Sequence, residues 1–81
     1  MNITDVEAGA VYRFDENVGG FASPILRGFC HVLTSPVGNT VDTVAIFDDG
    51  DIDHYRIMAG FELIRKATTL ETKEFLMRSI V

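Results

Sequence analysis

The sequence predicts a mainly β domain, a small five-stranded curled sheet or barrel with one C-terminal helix. Three observations lead there. The chain has 81 residues, enough for one hydrophobic core and too few for two, so residues 1–81 form a single domain. β-Forming residues gather in short runs separated by Gly, Pro, Asn and Asp, the pattern of strands divided by turns. Thr68 followed by Glu71, near the C-terminus, carries a helical start signal. In so small a domain, curling the sheet on itself is an efficient way to remove exposed edges.

The elements follow in order. Glu7-Ala8-Gly9 reads as a turn into a first strand over Ala10-Val11-Tyr12-Arg13-Phe14. From Asp15 to Gly28 the chain holds Gly19-Gly20, Pro24 and Gly28, which predicts an extended loop with a short turn at Pro24-Ile25-Leu26. Val18, Phe21, Ile25 and Leu26 would pack this loop back on the body. Phe29 to Thr34 is the second strand, and Ser35-Pro36-Val37-Gly38-Asn39-Thr40 is a turn. Val41 to Asp48 is the third strand. Its Val44-Ala45-Ile46-Phe47 core lacks alternation, as expected of a strand buried on both faces. Asp48-Asp49-Gly50-Asp51 contains Asp-Gly, a strong hairpin signal, and leads into a fourth strand to Ile57. Met58-Ala59-Gly60 is a tight connection to a fifth strand, Phe61–Arg65. Thr68 and Glu71 match a capping box and predict a helix over about 69–80. At 100° per residue Leu70, Leu76, Met77, Ile80 and Val81 form its apolar stripe, with Phe75 on the opposite, polar side.

Composition excludes several classes. No apolar run approaches the roughly 20 residues of a membrane span. Met1-Asn2-Ile3-Thr4-Asp5 has neither a basic nor an apolar leader region, so no signal peptide is expected. A single cysteine, Cys30, excludes an internal disulfide and any zinc site built on cysteines, and fits a reducing, cytoplasmic setting. The formal charge is −5, and its distribution is uneven. Between Gly28 and Tyr55 there is no Lys or Arg, while Asp42, Asp48, Asp49, Asp51 and Asp53 all fall there. Direct binding of nucleic acid is disfavoured by that balance. A protein with a basic surface is the partner it suits.

Ala45-Ile46-Phe47-Asp48-Asp49-Gly50-Asp51-Ile52-Asp53-His54-Tyr55-Arg56 resembles the central hairpin of Tudor-like small barrels, within the wider Src-homology-type group. There an apolar strand ends in Phe-Asp-Asp-Gly and an aromatic residue follows. Glu7-Ala8-Gly9-Ala10-Val11-Tyr12 is similar to the opening of the same barrels, and Phe61-Glu62-Leu63-Ile64 to their last strand. The resemblance covers about residues 7–65. It implies a non-enzymatic binder of peptides, modified tails or nucleic acids. The Asp15–Gly28 loop and the helix depart from the family pattern.

The candidate sites are weighed against plainer roles. The aspartates fail as a calcium loop. With Gly50 at its sixth position an EF-hand needs oxygen ligands at 45 and 47 and a Glu at 56, where this chain has Ala45, Phe47 and Arg56. They are either a solvated turn or a negative edge for a basic partner. Cys30 and His31, adjacent on a strand, point to opposite faces and cannot form a nucleophile–base pair, so no catalytic residue, metal ligand or cofactor is expected. Tyr12, Phe14, Phe47 and Tyr55 are either core or an aromatic groove for a methylated cation. Phe75 either packs under the loop or anchors a partner or a second subunit.

The expected function is therefore that of an acidic, non-enzymatic interaction protein. It would inhibit or regulate a larger protein by occupying a basic, nucleic-acid-binding surface, as phage-encoded anti-defence proteins do. Asp42, Asp48, Asp49, Asp51, Asp53 and Phe75 are the expected partner-binding residues, with a homodimer through the Phe75 region as the oligomeric option. The alternative is a Tudor-like reader of a modified or extended peptide through the aromatic groove.

Overall fold

A computed structural model describes residues 5–17, 25–58 and 62–79. Five strands and one helix follow one another as β1 (Val11–Asn17), β2 (Ile25–Val32), β3 (Thr40–Phe47), β4 (Ile52–Met58), β5 (Glu62–Lys66) and α1 (Thr69–Ser79). All strand pairs are antiparallel, in the order β4-β3-β2-β1-β5. The mainly β class, the five strands and the single C-terminal helix agree with the sequence expectation.

The turns form where local chemistry asks for them. Gly38 adopts a φ of 59° between the reciprocal bonds joining Val37 and Thr40, at 3.0 and 3.1 Å. Gly50 at φ 98° closes the β3–β4 hairpin, its N–H donating to the Phe47 carbonyl at 2.9 Å. Both positions suit glycine, which lacks the Cβ that makes a positive φ costly.

The expected 15–28 loop requires correction. Residues 15–17 belong to β1 and residues 25–28 to β2, paired as Asp15↔Arg27, Glu16↔Leu26 and Asn17↔Ile25. Ile25-Leu26 is therefore strand, whereas Gly19-Gly20, Val18, Phe21 and Pro24 lie outside the described residues. Gly28 acts as a close-approach residue within the sheet. A Cβ there would meet the Ile46 carbonyl oxygen at 2.3 Å and the Phe47 Cα at 2.8 Å.

The sheet is strongly rolled. β4 and β5 are its two edges, four strand spacings apart, which would be about 19 Å in a flat sheet. Yet residues 59–61 alone separate them in the chain, and the backbone from Met58 to Glu62 can span only about 14 Å. The rings of Phe14 on β1 and Tyr55 on β4 confirm the curvature. Their centroids lie 6.2 Å apart, although three strand spacings, about 14 Å flat, separate the two strands. Among the described residues β4 and β5 do not pair, so the roll is not closed into a barrel. Of the expected 58–60 connection, Met58 ends β4, and residues 59 and 60 lie outside the described residues.

Each face of the rolled sheet carries a core. Inside, Tyr12, Phe14, Cys30, Val32, Val41, Ala45 and Ile57 pack with Val6 from the N-terminal segment. Outside, Val11 and Ile46 pack against Phe75 of α1, flanked by Phe29 and Ala67. Neighbouring Ala45 and Ile46 are thus buried on opposite faces, at 0% and 3% exposure, which explains the unalternating apolar run in β3.

The helix begins at its capping box. Thr68 Oγ1 accepts the Glu71 amide at 3.2 Å, and the Glu71 carboxylate accepts the Thr68 amide at 2.9 Å. Its facing is opposite to the one the apolar stripe predicts. Phe75 is 3% exposed against the sheet, whereas Leu70, Leu76 and Met77 face solvent at 65%, 39% and 63%. Ile80 and Val81 lie outside the described residues. The physical reason is that one aromatic ring fills the gap between Val11, Phe29 and Ile46, and the short linker constrains the helix. The Ala67 amide donates to the Val11 carbonyl at 2.9 Å, and Arg65 clamps Glu71 in the first turn. Phe75 is therefore a core residue, and the expectation that it stands exposed as an anchor for a partner or a second subunit is overturned.

Candidate functional site: the acidic hairpin

The β3–β4 hairpin is fixed to the sheet from below and leaves its tip carboxylates outside. Asp48 donates its amide to the Arg27 carbonyl on β2 at 2.8 Å. Its carboxylate oxygens accept from both terminal guanidinium nitrogens of Arg13 on β1, Nη1 and Nη2, at 2.6 and 2.8 Å. That bidentate bond holds the Asp48 carboxyl below its ordinary pKa and raises that of Arg13. Arg13 also lies over the Phe29 ring, 5.1 Å from its centroid. One arginine thus ties β1, β2 and the hairpin together across the outer face. No local signal in the sequence marks this, because Arg13 and Asp48 stand 35 residues apart.

Asp49 shapes the turn, one oxygen accepting the Asp51 amide at 3.0 Å. Asp51 and Asp53 are exposed and have no ion-pair partner among the described residues. Two residues apart at the start of a strand, their side chains leave the same face roughly 7 Å from each other. Asp42 stands further along β3, bonded to Arg56 across the pair at 2.9 Å. Of the five aspartates expected to form one negative edge, Asp42 and Asp48 are therefore neutralised within the chain. Asp49, Asp51 and Asp53 form the remaining acidic tip.

Most of the chain's positive charge is used up in the same way. Arg13, Arg27, Arg56, Arg65 and Lys66 pair with Asp48, Asp15, Asp42, Glu71 and Glu7. These are five of the seven basic residues. The other two, Lys73 and Arg78, sit on α1. Among the described residues no ion pair joins a cation of the sheet to Asp49, Asp51 or Asp53.

The aromatic residues do not make a groove of four walls. Tyr12 and Phe14 are buried in the inner core, at 1% and 2% exposure. The Tyr12 hydroxyl accepts the Glu7 amide at 2.9 Å. Phe14, Phe47 and Tyr55 pack on one another with centroids 5.5 to 6.2 Å apart, edge-to-face or stacked as packed rings prefer. Phe47 and Tyr55 are half-buried. Of the four residues expected in the alternative aromatic groove, Phe47 and Tyr55 are thus the ones that keep partial exposure.

Two hollows remain. One of about 150 Å³ lies between α1 and the sheet, over Phe29, Ile46 and Phe75, rimmed by Glu71, Glu74 and Arg78. A shallow one of about 470 Å³ runs along β4 beside Leu33, Asp42, His54 and Arg56. Cys30 is fully buried, and burial pushes its thiol pKa up to about 12, the inert state of a small core residue. His31 lies on the other face, its ring 6.1 Å from that of Phe75. Among the described residues no three metal-binding side chains gather, and no helix is long and apolar enough to cross a membrane. No family model, curated protein or solved structure matches the chain.

Proposed function

We propose that the chain is a non-enzymatic interaction protein whose acidic hairpin docks on a basic surface of a larger protein. Such a surface ordinarily receives nucleic-acid phosphates, so its occupation would inhibit or regulate the partner. The cytoplasm, where Cys30 stays a thiol, is the proposed setting. The observation that carries this reading is the local imbalance of charge. Five cations are spent on internal pairs, while Asp49, Asp51 and Asp53 stand exposed at the turn and the start of β4, beside an Asp48 bonded to the sheet. Preset, unpaired charge of one sign steers a partner of the other.

A hexa-arginine peptide is a suitable probe of the site, followed by amide shifts in nuclear magnetic resonance spectra. Shifts should concentrate at residues 49–54, and affinity should fall roughly tenfold between about 50 and about 300 mM salt, because exposed charges are screened within 8–10 Å. Replacing Asp49, Asp51 and Asp53 together by Asn should abolish that salt dependence, with Asp48 left in place to hold Arg13. Shifts spread evenly over the surface, or unchanged binding by the triple variant, would remove the hairpin as the docking site.

A further inference from the structure

The helix presents to solvent the apolar residues that a helix ordinarily buries. Leu70 and Met77 are 65% and 63% exposed and lie within about 20° of one another around the axis, two turns apart. Lys73 and Glu74 flank that line at about 50° on either side. Both are exposed, and neither has an ion-pair partner among the described residues. Phe75 holds the opposite face against the sheet, so a molecule docking on this line meets no part of the chain's own core.

We propose that the occupant of this face is a second copy of the chain, its α1 lying parallel to the first about a two-fold axis along the helices. In that arrangement Leu70 meets Leu70 of the second copy and Met77 meets Met77. Lys73 of each copy falls beside Glu74 of the other, giving two ion pairs across the seam, at the flanking positions that select partners in helix pairs. An antiparallel pair would instead set Lys73 beside Lys73 and Glu74 beside Glu74. The charges therefore choose the orientation as well as the occupant. The rolled sheets then lie on the two outer sides of the pair, and both acidic hairpins remain free, so the pairing stands apart from the hairpin reading and would make the protein bivalent.

A single pair of short helices buries less than the roughly 1,200 Å² of a stable interface, so a weak dimer follows. Sedimentation equilibrium should show the mass rising from 9.0 kDa toward twice that value between about 0.05 and about 1 mM protein. Lys73→Glu alone and Glu74→Lys alone should each weaken association roughly tenfold, and the two together should restore it. Leu70→Cys should cross-link into a disulfide dimer on oxidation with diamide, as the parallel orientation requires. A monomer at about 1 mM, a dimer indifferent to the single charge reversals, or failure of the Leu70→Cys dimer to cross-link would each overturn the proposal. All these positions are exposed on a helix held by Phe75, so the variants keep the fold, and far-ultraviolet circular dichroism verifies it.

Discussion

Both oxygens of the Glu71 carboxylate accept the Arg65 guanidinium, at 2.6 and 2.9 Å, and one of them also accepts the Thr68 amide. The side chain thus joins the end of β5 to the first turn of α1. Arg65 first, then the Thr68 amide, lowers its pKa from the ordinary 4.5 to about 2. A carboxyl whose pKa is depressed by folding stabilises the fold above its unfolded pKa, and that contribution is lost as pH falls through the folded value. Stability should therefore decline between pH 4.5 and about 2. In Glu71→Gln, which keeps the size but not the charge, the slope in this window should be smaller, as read by urea unfolding at stepped pH. Asp48, lowered by Arg13, acts in the same direction, so the slope should shrink without vanishing.

At the scale of the element, α1 buries one ring against the sheet. Phe75 and the two sheet residues Val11 and Ile46 form the outer core, and removing a buried Phe ring costs about 3–5 kcal/mol. Phe75→Ala should lower stability by about that much, with the helical signal lost before the sheet unfolds. Leu70→Ala should change stability by no more than about 0.5 kcal/mol, as at other exposed sites. Equal costs for the two, measured by chemical denaturation of dilute protein, would contradict the observed facing. The capping box was legible in the sequence because its partners are three residues apart and need no tertiary help. The facing was not. A count of apolar residues around the wheel favours the side with five of them, but the sheet offered space for one aromatic ring, and the Ala67–Val11 bond set the approach.

For the whole molecule, charge is arranged as internal pairs on the sheet and an uncompensated tip. Changing Asp49, Asp51 and Asp53 to Asn removes three of the charges that make up −5. Repulsion among them should then disappear, so the triple variant should melt no lower than the natural protein at low salt, and any difference should close near 1 M salt, where screening reaches about 3 Å. A large loss of stability in calorimetry would instead assign these side chains to architecture. Asp48 behaves differently: it looks like its neighbours in the sequence, yet tertiary pairing with Arg13 makes it part of the frame.

The sequence by itself determined the mainly β class, the turns at Gly38 and Gly50, the start of the helix at Thr68 and the concentration of acid around the hairpin. Each rests on interactions among residues a few positions apart, such as turn dihedrals, strand propensity and capping. It misread Asp15–Gly28, because Gly28 and Pro24 count as breakers until one sees that Gly28 sits where β3 crosses too close for a Cβ. Tertiary structure alone decided that β5 pairs with β1, that the sheet rolls until Phe14 meets Tyr55, that Arg13 claims Asp48 and that Phe75 turns inward. Those outcomes join residues far apart in the chain, 35 positions in the case of Arg13 and Asp48. Over such separations the local chain carries no preference, and close packing of the two faces of the sheet selects the arrangement.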